Sequence, residues 1–352
     1  MTVSTSTRKL FSKCRVLGQG AQKIALSESE MFALMHVSCH DLKWNPHDVG
    51  LPTLSCVLPD EQYYKIPLEW FVAHQEESPT SRELLKILAR AVSHHQDFSL
   101  YYQNICSLHK RRLKYQRILS KQPRPNMDQI GPRSLLEFGL YDSDFLFSWM
   151  VWRKWLFDID NRAAQETGYL FEPILASCLG GESISARHSP VKRLDKSEKP
   201  TGGARQIDCY IGDEDLAYEF KLRVTIAASG QGRFAEELSF PVECAAAGLT
   251  PILIVLDPTP SPRLAELEQA FLAAGGKMYI GQSAWQHMQE QAGTIMSTFL
   301  EKYLRPPLEE MAKQEGNKLL DVQLSWSDNS IIIQAGEVKY EIPRKQQLRR
   351  RG

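Results

Sequence analysis

Asp208, Glu219 and Lys221 are the residues of this chain whose types and spacing point most directly to chemistry. They fall in Arg205 to Lys221, RQIDCYIGDEDLAYEFK, where two short alternating apolar segments, each carrying acid, flank a Gly-Asp-Glu-Asp turn. Alternation of this period predicts a strand pair, and residues two apart on a strand leave the same face. Glu219 and Lys221 therefore share a face, Asp208 can meet them from the neighbouring strand, and Phe220 points the opposite way into a core.

Two carboxylates and an ammonium gathered at one point suit the hydrolysis of a phosphodiester. That reaction needs neutralised phosphate charge, an activated water and a stabilised leaving oxygen, and a divalent metal serves all three as Lewis acid and water activator. Mg²⁺ takes a few carboxylate oxygens and keeps water and substrate oxygens in its other positions. Asp208 and Glu219 can supply such a half-shell as metal ligands, with the Phe220 carbonyl as a possible third. Lys221 would stand beside the attacking water and the negative charge that develops on the phosphate. An acid followed by Glu-x-Lys also arises by chance, as an ordinary salt bridge on a half-exposed hairpin, so the surrounding elements decide its meaning.

Those elements read as follows. Phe145 to Gln165 is aromatic-rich and helical, with Trp149, Trp152 and Trp155 expected as core anchors. A helix restarts at Glu166 and runs through Gly168-x-x-x-Glu172 toward Cys178 and Gly180-Gly181. Ser189 to Ala204 is polar, basic and Gly/Pro-containing, and is expected as a mobile loop. After the hairpin, Gly232 to Ala247 is helical, and PILIVLD from Pro251 suits a strand buried on both faces. Pro262 to Ala274 is helical, Met278 to Ile280 is a short strand, and Ser283 to Leu304 is an amphipathic helix. Such an order belongs to a mixed α/β fold.

The rest of the chain divides on either side. Residues 1 to 144 are predicted to be a mainly helical, irregular region punctuated by Pro46, Pro52, Pro59, Pro67 and Pro79. Thr80 and Glu83 form a capping box that starts a helical pattern ending at Pro123 and Pro125. Ser99 to Met127 contains no acid but carries Lys110, Arg111, Arg112, Lys114, Arg117, Lys121 and Arg124. It is expected either as a solvated basic helix face or as a phosphate-contacting surface. Pro306 and Pro307 close the 145–306 core, and 307–352 is expected as a small β-meander with turns at Asp328-Asn329 and Gly336, followed by a basic tail.

Composition removes several function classes. The chain has 352 residues, 43% apolar and 24% charged, with a formal net charge of zero. It is not a polycation, so any nucleic-acid face must come from local segregation of charge. No apolar run reaches the length of a membrane span. The segment MTVSTSTRKLF lacks the apolar core of a secretory signal and is expected as a frayed basic tail. Seven cysteines, odd in number and never spaced C-x-x-C, argue against a zinc site or disulfide framework and for a reducing, cytoplasmic setting. The nine histidines show no ligand spacing, and His94, His95 and His109 are expected on helix surfaces.

With these residues in place, the region from about 145 to 305 resembles the PD-(D/E)XK nuclease superfamily, and within it the type II restriction endonucleases. The resemblance implies an αβββαβ core in which Asp208, Glu219 and Lys221 are the two acids and the lysine of the motif. Glu172 matches the acid often found on the preceding helix, with Glu166 as its competitor. Gln206-Ile207 stands where the motif has proline, a position frequently substituted. The run LRVTIAASGQGRFAEELSFP after Lys221 is similar to the ApaLI-like group.

The resemblance further implies Mg²⁺-dependent, sequence-specific cleavage of double-stranded DNA, leaving 5′-phosphate and 3′-hydroxyl ends. It implies a homodimer on a palindromic site and a cognate DNA methyltransferase in the same system. A structure-specific or repair nuclease, or a non-catalytic DNA-binding protein, could share the core. Ser229, Gln231 and Arg233 would open a helix just after the catalytic strand, where backbone amides and an arginine suit a phosphate. Glu236 and Glu237 are expected in surface ion pairs.

Overall fold

A computed structural model describes residues 3–20, 23–130, 133–195, 197–222, 231–257, 259–313 and 320–344. The chain opens with α1 (Thr5–Arg15), so the segment expected to fray is helical and buries Phe11 and Cys14. A short ladder of β1 (Val16–Leu17) and β2 (Ile24–Ala25) follows. Ser27 and Glu30 form a reciprocal capping box for α2 (Glu28–Asp41), which buries residues all round. After α3 (Leu68–Val72) the Thr80/Glu83 capping box starts α4 (Ser81–His94), as expected. The helical pattern does not run unbroken to Pro123: it stops at His95, which is extended, and resumes as α5 (Phe98–Lys121). Next come α6 (Met127–Ile130), α7 (Arg133–Glu137) and the long α8 (Ser143–Cys178). The two helical stretches expected around Glu166 are thus one helix, with Pro173 inside it.

The segment expected as a loop up to Ala204 carries structure. Before it comes β3 (Glu182–Ile184), and from Ser189 on it holds β4 (Lys192–Leu194) and β5 (Pro200–Ala204), paired as a separate two-stranded sheet. The hairpin that carries Asp208, Glu219 and Lys221 is β6 (Ile207–Ile211) and β7 (Leu216–Lys221), joined by a turn in which Asp215 takes a positive φ of 54°. Then follow α9 (Gln231–Ala246), β8 (Thr250–Val255), α10 (Pro262–Ala273) and β9 (Lys277–Ile280). The expected single helix to Leu304 is broken at Ala292-Gly293 into α11 (Gln282–Gln291) and α12 (Thr294–Tyr303), before α13 (Arg305–Ala312). The C-terminal meander is β10 (Val322–Trp326), β11 (Ser330–Ala335) and β12 (Val338–Pro343), antiparallel throughout.

The fold class is therefore the mixed α/β arrangement expected. One five-stranded sheet runs in the order β3-β6-β7-β8-β9, antiparallel from β3 to β7 and parallel from β7 to β9. The switch to parallel pairing needs a crossover, and α9 supplies it. No helix among the described residues is long and apolar enough to cross a membrane.

Contacts group the chain into two compact units that cut across its linear divisions. The first comprises 1–15, 26–107 and 168–310; the second comprises 16–25, 108–167 and 311–352. In the first unit, one sheet face is sealed by Ile207, Ala217, Leu253 and Val255 against Phe240 and Cys244 of α9 and Leu264, Leu267 and Phe271 of α10. Away from the sheet, Asp41 is buried and accepts hydrogen bonds from the Tyr101 and Tyr303 hydroxyls, the former at 2.9 Å. Asp41→Ala leaves two buried hydroxyls without their acceptor. The expected loss is about 2–4 kcal/mol of unfolding free energy, read from urea melts against Tyr101→Phe as a partial control. A loss below about 0.5 kcal/mol would show the network to be energetically idle.

The second unit has its own core of Trp155, Ile159 and Leu119 against Ile331 and Ile342 of the meander, with Trp152 and Trp326 packed on it. Trp155 is the buried anchor expected; Trp149 is 42% exposed, with its indole N–H donating to Glu137 at 3.2 Å. His109 departs from its expected surface position and is fully buried.

Candidate active site

The hairpin brings the first acid and the motif pair together by register alone. Cys209 pairs with Tyr218 in the antiparallel ladder, so one further step sets Asp208 opposite Glu219. Asp208 is only 8% exposed, and its Oδ2 accepts a hydrogen bond from the Phe220 backbone N–H at 3.0 Å. Phe220 is buried on the opposite face, as the two-residue period requires. Lys221 Nζ donates to Glu219 Oε1 at 2.7 Å and lies 3.2 Å from Glu237 Oε1, a residue of α9.

The electrostatics are those of acids crowded around one ammonium. Burial pushes the Asp208 carboxyl well above the ordinary carboxylate range, and the charges of Glu219 and Glu172 push the same way. The Phe220 N–H and Lys221 oppose them without prevailing. Glu172 is raised too, by burial and then by Glu219. For Lys221, burial acts to lower the pKa, but Glu219, Glu237 and Asp208 outweigh it and hold the ammonium firmly charged.

A pH consequence follows for the metal-free protein. A carboxyl whose folded pKa is raised contributes stability that is complete below its unfolded value, near 4, and is lost as pH rises through the folded value. Asp208→Asn keeps an oxygen acceptor for the Phe220 N–H and removes the charge. In chelator at pH 8 it should melt at a higher temperature than the wild type, with the difference closing near pH 4. Thermal melts at the two pH values check this, and a lower melting temperature for the variant at pH 8 would contradict it.

The donor set fits a hard divalent cation. Asp208 and Glu219 would offer oxygen ligands from opposite strands of a pair, and a cation between them would relieve the like-charge crowding that raises Asp208. No three His, Cys, Asp or Glu side chains converge as a ready cage among the described residues. Magnesium does not require one, since it retains waters and substrate oxygens.

Of the two helix acids, the structure brings Glu172 to the electrostatic neighbourhood of Asp208 and Glu219. Gly168, one turn earlier, leaves room for it: a Cβ there would stand 3.1 Å from Glu172 Oε1. Glu166 instead forms ion pairs with Arg111 and Lys114, all three in the second unit.

Those same pairs bear on the basic helix. Arg111 and Lys114 share Glu166, Arg117 donates to the Lys23 carbonyl at 2.9 Å, and Lys110 is buried at 2% exposure, with Nζ 3.4 Å from the Val16 carbonyl. The expectation that Lys110 lies on a phosphate-contacting surface therefore meets a buried side chain. The positive run is partly a packing device of its own unit. Ser229 lies outside the described residues, and of Gln231 and Arg233 only the helical backbone is described.

Two further groups near the hairpin were not read from its motif. Glu236 forms the expected surface pair, with Arg193 at 3.2 Å, but Glu237 reaches Lys221. The signal was present in α9: Glu237 falls between Phe234, Phe240 and Cys244 on the helix face that packs against the sheet, where an unpaired carboxylate is costly. The second group is a buried ion pair between Arg205, just before β6, and Glu243 of α9. Arg205 also donates to Ser239 Oγ at 2.7 Å, and Glu243 accepts from the Leu194 backbone N–H at 3.2 Å. The pair ties the β4–β5 hairpin and the start of β6 to α9.

Comparison with known proteins identifies the family of the chain. The model of the ApaLI-like restriction endonuclease family matches residues 61–305, a span that includes Glu172, Asp208, Glu219, Lys221 and Glu237. A curated protein of Acetobacter pasteurianus, "Type II restriction enzyme ApaLI", is 45% identical over 294 residues, covering 80% of this chain and 77% of its own length. No solved structure matches.

Proposed function

The chain belongs to the ApaLI-like restriction endonucleases, and from that premise we propose that it is a Mg²⁺-dependent enzyme of type II restriction cutting double-stranded DNA at this hairpin. Cleavage leaves 5′-phosphate and 3′-hydroxyl ends. The enzyme acts as a homodimer in the cytoplasm, beside a DNA methyltransferase that protects the same sequence.

The observation that supports the reading is the position of Lys221 Nζ, 2.7 Å from Glu219 Oε1, on the face Glu219 shares with buried Asp208. When bound, the metal supplies Lewis-acid stabilisation of the phosphate and a lowered pKa for water. Asp208 and Glu219 hold it from adjacent strands. Lys221 orients the attacking water and offsets negative charge as the phosphorus gains its fifth oxygen. Glu172 adds a carboxylate from α8 that can reach through water. The Phe220 N–H fixes the Asp208 rotamer, so the ligand is placed before DNA arrives. Gln231 and Arg233 at the start of α9, with Ser229 two residues earlier in the sequence, are proposed to hold a DNA phosphate; Arg112 and Arg117 of α5 are proposed separately as phosphate contacts of the second unit.

Purified protein incubated with phage DNA tests the reading. Discrete fragments are expected with Mg²⁺ and none with excess chelator, and the ends should be joined by DNA ligase without prior treatment. Intact DNA under both Mg²⁺ and Mn²⁺ would overturn it, and a smear without discrete bands would remove sequence specificity.

A further inference from the structure

We propose that Glu237 is a positioning residue for Lys221: it keeps the ammonium in place when Glu219 turns its carboxylate to the metal. The inference rests on the nuclease reading of the hairpin and adds to it a residue from outside the motif.

Two demands on Glu219 conflict inside the motif. Lys221 Nζ donates to Glu219 Oε1 at 2.7 Å. A carboxylate oxygen committed to an ammonium is a poorer metal ligand, so Glu219 must release Lys221, at least in part, to serve as one. An ammonium at the end of a flexible four-carbon stem does not then stay where the water is unless something else holds it. Glu237 is placed to do so. Its Oε1 is 3.2 Å from the same Nζ, and it comes from α9, not from the strand that carries the metal ligand.

A second observation gives Glu237 the necessary capacity. Its Oε2 is buried yet has no hydrogen-bond partner among the described residues. Buried polar atoms are ordinarily satisfied, and this one, among the described residues, is a spare acceptor on the group that already touches Lys221. When Glu219 moves away, the donor it gives up can be taken by Glu237 without rearrangement of the backbone. Glu237 also stands on the face of α9 that packs against the sheet, where Phe240 and Cys244 belong to the core cluster and Phe234 packs on it. A carboxylate there is costly unless paired. An ordinary structural ion pair would account for the pairing but not for the spare buried oxygen.

The test uses Glu237→Gln, Glu237→Asp and, as a neighbouring-charge control, Glu236→Gln, which breaks only the exposed pair with Arg193. Two readouts are taken: single-turnover cleavage with enzyme in excess of DNA and above the dissociation constant, and Mn²⁺ binding to the DNA-free protein by electron paramagnetic resonance. Without Glu237, Lys221 falls wholly to Glu219 and competes with the metal. Glu237→Gln should therefore weaken Mn²⁺ binding several-fold and slow the chemical step by about 10²-fold, the scale of an ångström's misplacement, with DNA affinity unchanged. Glu237→Asp keeps the charge and loses reach, so it should fall between Gln and wild type; Glu236→Gln should match wild type.

Wild-type Mn²⁺ binding and cleavage in Glu237→Gln overturn the inference and leave the nuclease reading intact. Wild-type behaviour in Glu237→Asp reduces the role to charge alone and overturns positioning. Should the wild type itself fail to cut, the nuclease reading falls, and the Mn²⁺ isotherms still decide whether Glu237 frees Glu219 for metal.

Discussion

Replacing Lys221 by alanine is expected to slow DNA cleavage by about 10²–10³-fold in single turnover while DNA affinity changes little, the range seen when one preorganised charge stabiliser is removed from an active site. The ammonium is held between Glu219 and Glu237, fully charged, on the face that presents Asp208. Its stem lies beside Val255 on the face that α9 covers, so truncation removes some packing as well as charge, but it is the charge that acts on the chemical step. The defect should therefore appear in the rate and not in the binding constant. Arginine is a poor substitute, since its planar fork cannot occupy a point between two carboxylates as a compact ammonium does, so Lys221→Arg should be nearly as slow. Lys221→Met, which preserves the stem, separates loss of charge from loss of volume. Wild-type rates in all three variants would remove Lys221 from the chemistry.

The second large effect concerns the scaffold. Glu243→Ala strands the buried Arg205 guanidinium and removes the acceptor of the Leu194 N–H. Breaking one side of a buried ion pair costs about 3–5 kcal/mol, far more than the net worth of the pair, because a charge is left without compensation. Denaturant unfolding of Glu243→Ala should show a loss of that size, and Arg205→Ala a similar one. The double variant should lose much less than the sum. Cleavage should fall as well, since Arg205 leads directly into the strand that carries Asp208. A loss under about 1 kcal/mol would mean that the pair is solvated and the hairpin is held otherwise.

What could be read from the chain was what depends on near neighbours. The hairpin was legible because its strands are adjacent and their alternation sets Asp208 against Glu219 without help from elsewhere. The strand at PILIVLD and the capping box at Thr80 and Glu83 declare themselves within a few residues. β3 did not: three residues beginning with an exposed glutamate form a strand only because β6, more than twenty positions later, offers an edge. The division of α11 from α12 at Ala292-Gly293 was likewise hidden by a helical period that continues through it.

Long-range pairing explains the rest. Arg111 and Lys114 looked like a free basic surface because Glu166, which binds both, lies 52 residues beyond Lys114. Glu237 looked like half of a surface acid pair, although its place on an apolar helix face marked it as different from Glu236. Register and period located the motif; which charges meet it depended on where other segments return.

The central claim is that DNA is cut where Asp208, Glu219 and Lys221 meet. The most direct measurement is digestion of one phage DNA, with Mg²⁺, by the wild type and by Asp208→Ala, after band shifts in Ca²⁺ show that both bind DNA. The wild type should give discrete fragments and Asp208→Ala none. Fragments of the same pattern and rate from Asp208→Ala would contradict the assignment, whatever the family of the chain.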